Sequence, residues 1–426
     1  MDNNIQYPTQ FSIGDITIEG KSVIGLFESI EIFENIGLAG VTGTITLIDT
    51  DGAEGEESFF EANDIQFCEP IEFNFTNALD QTLTFEGRLN NLKSEVYVTP
   101  RRIYTIDFVS VAVHKNEMKF VNKKYNNQTP NNIIIDMVEL LNGSVTTKTD
   151  GENMTFLGCN RKPYQIVKYV INHAVTPDAE VTNDEENPEQ KAAGGSGFLF
   201  WETVDGFRFC PTEELLKEDT GAFTEWPGFI TTLSNTNDPV EDTMKHIMES
   251  EFPKISDYHS KLRSGQLKCK HVSFDTNTGQ YRVVNYDGDK VSSQKLIDAC
   301  EEATRVVYTT KNNEKHSSEC TRTKEGEDDQ SENYLTQTIA KQNSFNHSIG
   351  RLTLAPQFEM RAGDVIEIAI NKTNSKDCIG KQDEKKSGKY VLKQVSHHIF
   401  SKGDAYTKVT IVRNEKDFEK KSKTTV

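Results

Sequence analysis

The sequence has no long apolar run, no paired cysteines and no surplus of cations, and each lack removes a class of protein. No window approaches the roughly 20 consecutive apolar residues that a helix needs to cross a bilayer, so no membrane span is expected. The seven cysteines, Cys68, Cys159, Cys210, Cys269, Cys300, Cys320 and Cys378, are scattered and odd in number. None forms a C-x-x-C pair, so neither a disulfide framework nor a zinc knuckle is expected. Lys and Arg total 47 against 66 Asp and Glu, a net charge of −19. Tight binding to a phosphate backbone comes mainly from Lys and Arg displacing counterions. This chain has no basic block interleaved with aromatics, so tight nucleic-acid binding is not expected either. The opening residues, MDNNIQYPTQFSIGD, lack a basic segment followed by an apolar one; folding in the cytosol is the expectation.

Motifs that carry chemistry are equally scarce. There is no HExxH, no GxSxG and no GxxxxGK[ST]. In Gly194-Gly195-Ser196-Gly197 the last glycine comes one position too early for a nucleophile elbow. His397 and His398 are adjacent within a strand-like run, so they point to opposite faces and cannot easily share one ion. One should pack inside and the other face out. His114, His246, His259, His271 and His347 are isolated. Asp49, Asp51, Glu54, Glu56 and Glu57 have a faint calcium-loop look, but Gly52 falls at position four from Asp49 where an EF-hand needs position six. A solvated acidic loop is the better reading. Phe73 and Phe75, and Tyr104, Ile106 and Phe108, repeat with period two and read as core faces. No catalytic, cofactor-binding or metal residue is therefore assigned, and an enzyme is not expected.

What the sequence does contain is strands. Six or so β-runs crowd residues 1–115, separated by Gly, Asn and Asp, with one helical turn at most in 51–64. Residues 116–235 read as a small α/β insert. Thr129-Pro130 opens one helix and Pro163 another, and a hairpin turns at Asp205-Gly206. Its acidic tract at 177–197, with almost no apolar residue, is expected to be a mobile loop. Strand-like segments return at 258–287. A polar insertion over about 288–335 follows, with one helix expected in KLIDACEEATRVVY. Four more β-runs occupy about 345–354, 365–370, 389–399 and 405–413. Arg361-Ala362-Gly363-Asp364 is the turn before the second, and Gly403-Asp404 the turn before the last. The expected architecture is mainly β with α+β insertions: a β-barrel at 1–115, the insert at 116–235 and a second β-barrel at 236–426. At 426 residues several domains are the prior expectation.

The order of the terminal elements carries a resemblance. Arg351-Leu-Thr-Leu-Ala-Pro356, Gly363-Asp364-Val-Ile-Glu-Ile, Ser387-Gly-Lys-Tyr390-Val-Leu, Val395-Ser-His-His398 and Thr407-Lys-Val-Thr-Ile-Val-Arg-Asn414 follow one another. Tyr164 to Ala174, followed by Phe198-Leu-Phe-Trp201-Glu, adds a middle helix and an apolar hairpin. This pattern resembles the baseplate hub proteins of contractile-tailed, T-even-type bacteriophages. The resemblance implies two tail-tube-like barrels and a homotrimer that adapts a threefold central spike to the sixfold tail tube, with the genome passing through its lumen. It implies contacts with the spike and lysozyme protein, tube or tube-initiator proteins, the tape measure protein and baseplate wedge proteins, within the virion. Interface residues are not assigned by it. Two alternatives stand beside it: a tail-associated peptidoglycan hydrolase, and the spike body of a type VI-like contractile injection system.

Overall fold

The structure is a computed structural model. It describes residues 7–50, 57–66, 68–98, 101–177, 180–184, 187–193, 195–216, 223–231, 240–252, 258–276, 279–288, 294–311, 334–345, 350–372 and 381–413.

Alternating apolar residues build the first part. It comprises β1 (Phe11–Ile18), β2 (Lys21–Ser22), β3 (Phe27–Asn35), β4 (Thr42–Thr50), a single helical turn α1 (Phe59–Ala62), β5 (Pro70–Asn77), β6 (Thr82–Val98) and β7 (Arg101–Ser110). Every second side chain turns inward, so Ile16, Ile30, Ile32, Ile45, Leu47, Phe73, Phe75, Ile106 and Phe108 share one core. Each such side chain contributes about 1.5–3 kcal/mol on burial. Both aromatic stripes lie there, Phe73 packing edge-on against Phe108 at 5.7 Å.

The middle part packs two helices on a small sheet. Its elements are α2 (Val111–Met118), β8 (Val121–Gln128), α3 (Pro130–Leu140), β9 (Val145–Thr147), β10 (Met154–Arg161), α4 (Pro163–His173), β11 (Glu180–Asp184), β12 (Asn187–Ala193), β13 (Phe198–Thr203), β14 (Gly206–Pro211) and α5 (Thr212–Leu215). Both expected helices form, and the Thr129 side chain caps α3 by accepting from Asn132 N. Ile133, Ile134, Met137, Ile166, Val167 and Val170 from the two helices meet Phe198, Phe200, Phe207 and Phe209 from the β13–β14 hairpin.

The expected loop at 177–197 needs correction. Within it β11 and β12 form an antiparallel hairpin, and Gln190 and Lys191 of β12 pair in parallel with Val284 and Asn285. Low apolar content removes the driving force for a core, but strand pairing supplies hydrogen bonds without one.

The last part contains β15 (Glu225–Ile230), α6 (Val240–Met244), β16 (Ile247–Glu251), α7 (Tyr258–Ser264), β17 (Lys268–Asp275), β18 (Tyr281–Asp287), α8 (Gln294–Asp298), β19 (Arg305–Lys311), α9 (Leu335–Ser344), β20 (Gly350–Leu354), β21 (Val365–Ala369), β22 (Gly388–Phe400) and β23 (Ala405–Val412). Three boundaries differ from expectation. Residues 258–264 are the helix α7 rather than strand. The Arg305–Lys311 segment is strand, because Val306, Val307 and Thr309 are β-branched and favour it over continuing α8. The run expected from 345 starts at Gly350, since α9 continues through Ser344. β11, β12, β18, β17 and β19 make one five-stranded sheet, so two tracts that read as separate insertions meet.

The two β-rich parts share a single sheet. Its main path runs β16-β20-β23-β22-β3-β4-β7-β6-β5-β1-β2. β22 is the seam: Gly388–Val391 pair with β21, and Gln394 to Phe400 pair with β3. Its inward residues serve two cores, Tyr390, Leu392 and Val395 on one side of the seam and Ile399 on the other. The sheet curls on either side. One curl brings β15 back to β16 through the Ile230–His246 bridge. The other brings the tip of the β22–β23 hairpin to the start of β1, where Ala405 N donates to Thr9 O at 2.9 Å. The terminal hairpin, read in the sequence as part of the second barrel, thus completes the first curl as well.

Candidate functional site

The turn Arg361–Asp364 between β20 and β21 is where all three parts of the chain meet. Gly363 sits at φ +91°, and a Cβ there would collide with Trp201 Cζ2, so the position requires glycine twice over. The Ala362 peptide is held from both sides. Its N–H donates to Glu34 Oε2 at 2.9 Å, and its carbonyl accepts from Trp201 Nε1 at 2.9 Å and Arg208 Nη1 at 2.7 Å. Asp364, fully buried, accepts from Arg208 Nη1 at 2.8 Å, Trp226 Nε1 at 3.0 Å and Arg361 N at 3.0 Å.

Arg361 crosses from this turn to the tip of the β13–β14 hairpin. Its Nε and Nη2 donate to the two oxygens of Asp205 at 2.8 and 2.9 Å. Glu34 of β3 lies 3.8 Å away and is completely buried. Burial alone would pull the guanidinium's pKa down, but the carboxylates of Glu34 and Asp205 outweigh it and hold it above its ordinary value. Burial also pushes the Glu34 carboxyl up, against the pull of Arg361. Glu34 accepts from Val204 N at 2.8 Å in the hairpin tip. In the opposite sense, Glu202 of the hairpin accepts from Val41 N at 3.0 Å and from the Ser110 hydroxyl in the first part. Burial pushes its pKa up to about 7. These carboxylates bind backbone amides of a different part of the chain, so the arrangement fastens the parts together.

The residues weighed from sequence fall elsewhere. His397 is fully buried, with Nδ1 3.1 Å from Thr407 Oγ1 and Phe358 edge-on at 5.9 Å; burial pushes its pKa down to about 3. His398 does point to the opposite face, yet it is not open to solvent. It stacks on Tyr406 at 4.9 Å and has Glu31 Oε1 3.2 Å from Nδ1. Asp49 caps α1, accepting from Phe59 N at 2.7 Å. Asp51, Glu54, Glu56, Gly194, His347, Cys320 and Cys378 lie outside the described residues. Ser196 is buried and donates to Gln337 Oε1 at 2.8 Å. Among the described residues no three His, Cys, Asp or Glu side chains gather as metal ligands, and Cys68, Cys159, Cys210, Cys269 and Cys300 are free.

Read from sequence, residues 361–364 are only a turn, and their charged partners do not show. One signal for them exists: Glu34 occupies the inward register of Ile30 and Ile32, where a carboxylate needs a partner.

The fold has solved counterparts. The 43 kDa tail protein of prophage MuSo2 from Shewanella oneidensis matches with a TM-score of 0.52 at 9% identity, over 95% of this chain and 98% of that one. The tail protein from Neisseria meningitidis MC58 gives 0.51 at 8% identity, over 94% and 96%. No protein-family model and no curated protein matches the sequence. Along nearly its whole length, the chain has the fold of these tail proteins.

Proposed function

We propose that the chain is a structural component of a phage tail and, within it, the baseplate hub: a homotrimer joining a threefold spike to the sixfold tube, with the genome passing through its lumen. The fold shared with two tail proteins over their whole lengths supports the tail role. The observation that carries the hub reading is an unbroken run of strands, β6-β7-β4-β3-β22-β23-β20-β16, whose two end strands each have a stretch with no described strand on the outer side. β6 pairs with β5 only over Thr82–Arg88, and no described strand pairs along its outer edge from Asn90 to Val98. β16 has β20 on one side and no described strand along Met248–Glu251 on the other. Unlike edges at opposite ends of one sheet pair head to tail, and such pairing makes a ring when the rotation closes. Three copies, each with two curled halves, would present a pseudo-sixfold wall.

The same stretch of β6 carries Val96, Tyr97 and Val98, exposed by 48%, 59% and 54%. Adjacent apolar residues on an open edge are a liability unless a neighbouring subunit covers them. The spike, tube or tube-initiator proteins, tape measure protein and wedge proteins are the partners this reading names. Mass photometry of the purified protein with its spike, alongside a reconstruction of the particle, tests it. A threefold ring is expected, and the double variant Val96→Lys, Val98→Lys should fall to the 48.1 kDa monomer. A single copy in the particle, or an undiminished trimer in the variant, refutes the edge-pairing ring.

A further inference from the structure

Where β22 changes partner from β21 to β3, its register against β23 slips between Leu392 and Gln394, and the extra residue is Lys393. On the face away from both cores, β16, β20, β23, β22 and β3 form a groove of about 600 Å3 at this point. Strand pairing sets its rows. Glu249, Thr353, Lys408, Ser396 and Phe33 lie side by side across it, and Glu251, Arg351, Thr410 and Gln394 form the next row.

Most of the charges here have partners. Arg351 lies 3.4 Å from Glu251, the Thr353 hydroxyl donates to Glu249 at 3.5 Å, and the Lys408 ammonium sits 5.1 Å from the Tyr406 ring centre. Lys393 is different. It lines the groove, is half-buried, and makes no side-chain hydrogen bond or ion pair among the described residues. Burial lowers its pKa with no anion opposing the shift. A partly desolvated cation is costly unless paired, and a bulge re-aims a side chain at the place where pairing changes.

We propose that this groove is a docking site for an extended polypeptide segment carrying a carboxylate, which pairs with Lys393. Thr410 and Gln394, which line the groove, supply hydrogen-bonding groups for the backbone of such a segment. A phosphate backbone fits less well. Glu249, Glu251, Glu31 and Asp107 share the same sheet face and would repel a run of negative charges, whereas one carboxylate needs one cation. The site belongs to a single chain and does not depend on ring assembly.

The test uses the full chain and fluorescence anisotropy. The probes are a labelled oligothreonine peptide carrying a single Glu, the same peptide with Gln in its place, and an oligothymidylate of similar length. The Glu peptide should bind and weaken with salt, and both the Gln peptide and Lys393→Met should reduce binding about tenfold, the loss of one charge-assisted hydrogen bond. Lys393→Arg should retain it. If Lys393→Met fails to fold, the Glu-to-Gln comparison on the unaltered chain still decides. No binding, equal binding of the two peptides, an unaffected Lys393→Met, or oligothymidylate binding as tightly would each overturn the proposal.

Discussion

Replacing Arg361 with Met keeps the apolar stem and removes the charge that ties the three parts of the chain together. The guanidinium donates to Asp205, to the carbonyls of Phe358 and Met360, and stands 3.8 Å from Glu34. The Asp205 side chain is 61% exposed, so its share is small, under about 1 kcal/mol. Glu34 weighs more. It is fully buried, and removing one partner of a buried pair costs about 3–5 kcal/mol because the other charge stays behind. The sign with pH follows from Glu34. Its carboxyl is already raised from 4.5 by burial, and losing Arg361 raises it further. A carboxyl raised in the folded state favours folding below its unfolded value and loses that contribution as pH rises through its folded value. The deficit of the variant should therefore be smallest near pH 4 to 5 and grow toward pH 8. The chain has 2 tryptophans, Trp201 and Trp226, and both donate to this turn, so their fluorescence during urea unfolding reads the junction directly. At pH 8 the transition should fall by about 1–2 M urea, from a cost of about 3–5 kcal/mol and a slope of about 3 kcal/mol per molar, the upper end of the small-protein range. Adding Glu34→Gln should restore part of the loss, with a coupling of about 0.5–3 kcal/mol. An unchanged midpoint at pH 8, or the same deficit at pH 5 and pH 8, refutes the reasoning.

Gly363→Ala should destabilise the same transition by about 1–3 kcal/mol, because its φ of +91° is strained for alanine and the methyl meets Trp201; an unshifted tryptophan melt counts against this. Glu202→Gln should flatten the fall in stability between about pH 4.5 and 7. The wild-type carboxyl, raised to about 7, loses up to about 1.4 kcal/mol per pH unit on the way up to that value, and the amide cannot; parallel curves from pH 5 to 8 would contradict it. His397→Leu should flatten the acid side. The neutral buried ring, with its pKa lowered to about 3, stabilises the fold above 6.5 and loses that contribution as pH falls; identical acid limbs in thermal melts would contradict it.

Strands are legible in the sequence because period-two alternation is local. Ile30-Glu31-Ile32 and Phe73-Asn74-Phe75 announce an inward face within a few residues. Helices announce themselves through Thr129-Pro130 and Pro163. The identity of a strand's neighbour is not local. β22 reads as one strand, and nothing in its residues says that its first part will pair with β21 and its second with β3. The same limit hides the ionic junction. Glu34, Glu202, Arg361 and Asp364 are distant in sequence, and only the tertiary fold gives each its partner. The β11–β12 hairpin reads as a loop for a related reason, since its pairing with β18 lies nearly a hundred residues away in the chain.

A seam of this kind has a mechanical consequence. Two barrels joined by a linker move relative to each other unless their interface is large and apolar. Here β22 and β23 contribute to both cores, so relative motion of the halves would require breaking ladder hydrogen bonds and shearing packed side chains. The buried carboxylates of Glu34 and Glu202 add a second fastening, from the hairpin tip of the middle part to the first part and to the Arg361–Asp364 turn. The proposed hub, holding its two halves at a fixed angle around a tube, would need this rigidity. A hydrolase that closes on a substrate would more readily place its hinge at such a junction. Hydrogen exchange separates the two cases. Amides of Val395 to Ile399 and of Val204 and Ala362 should exchange together with the slowest core amides. Early exchange at Val204 and Ala362 would mean that the hairpin tip opens independently, and the fixed-angle reading would fail.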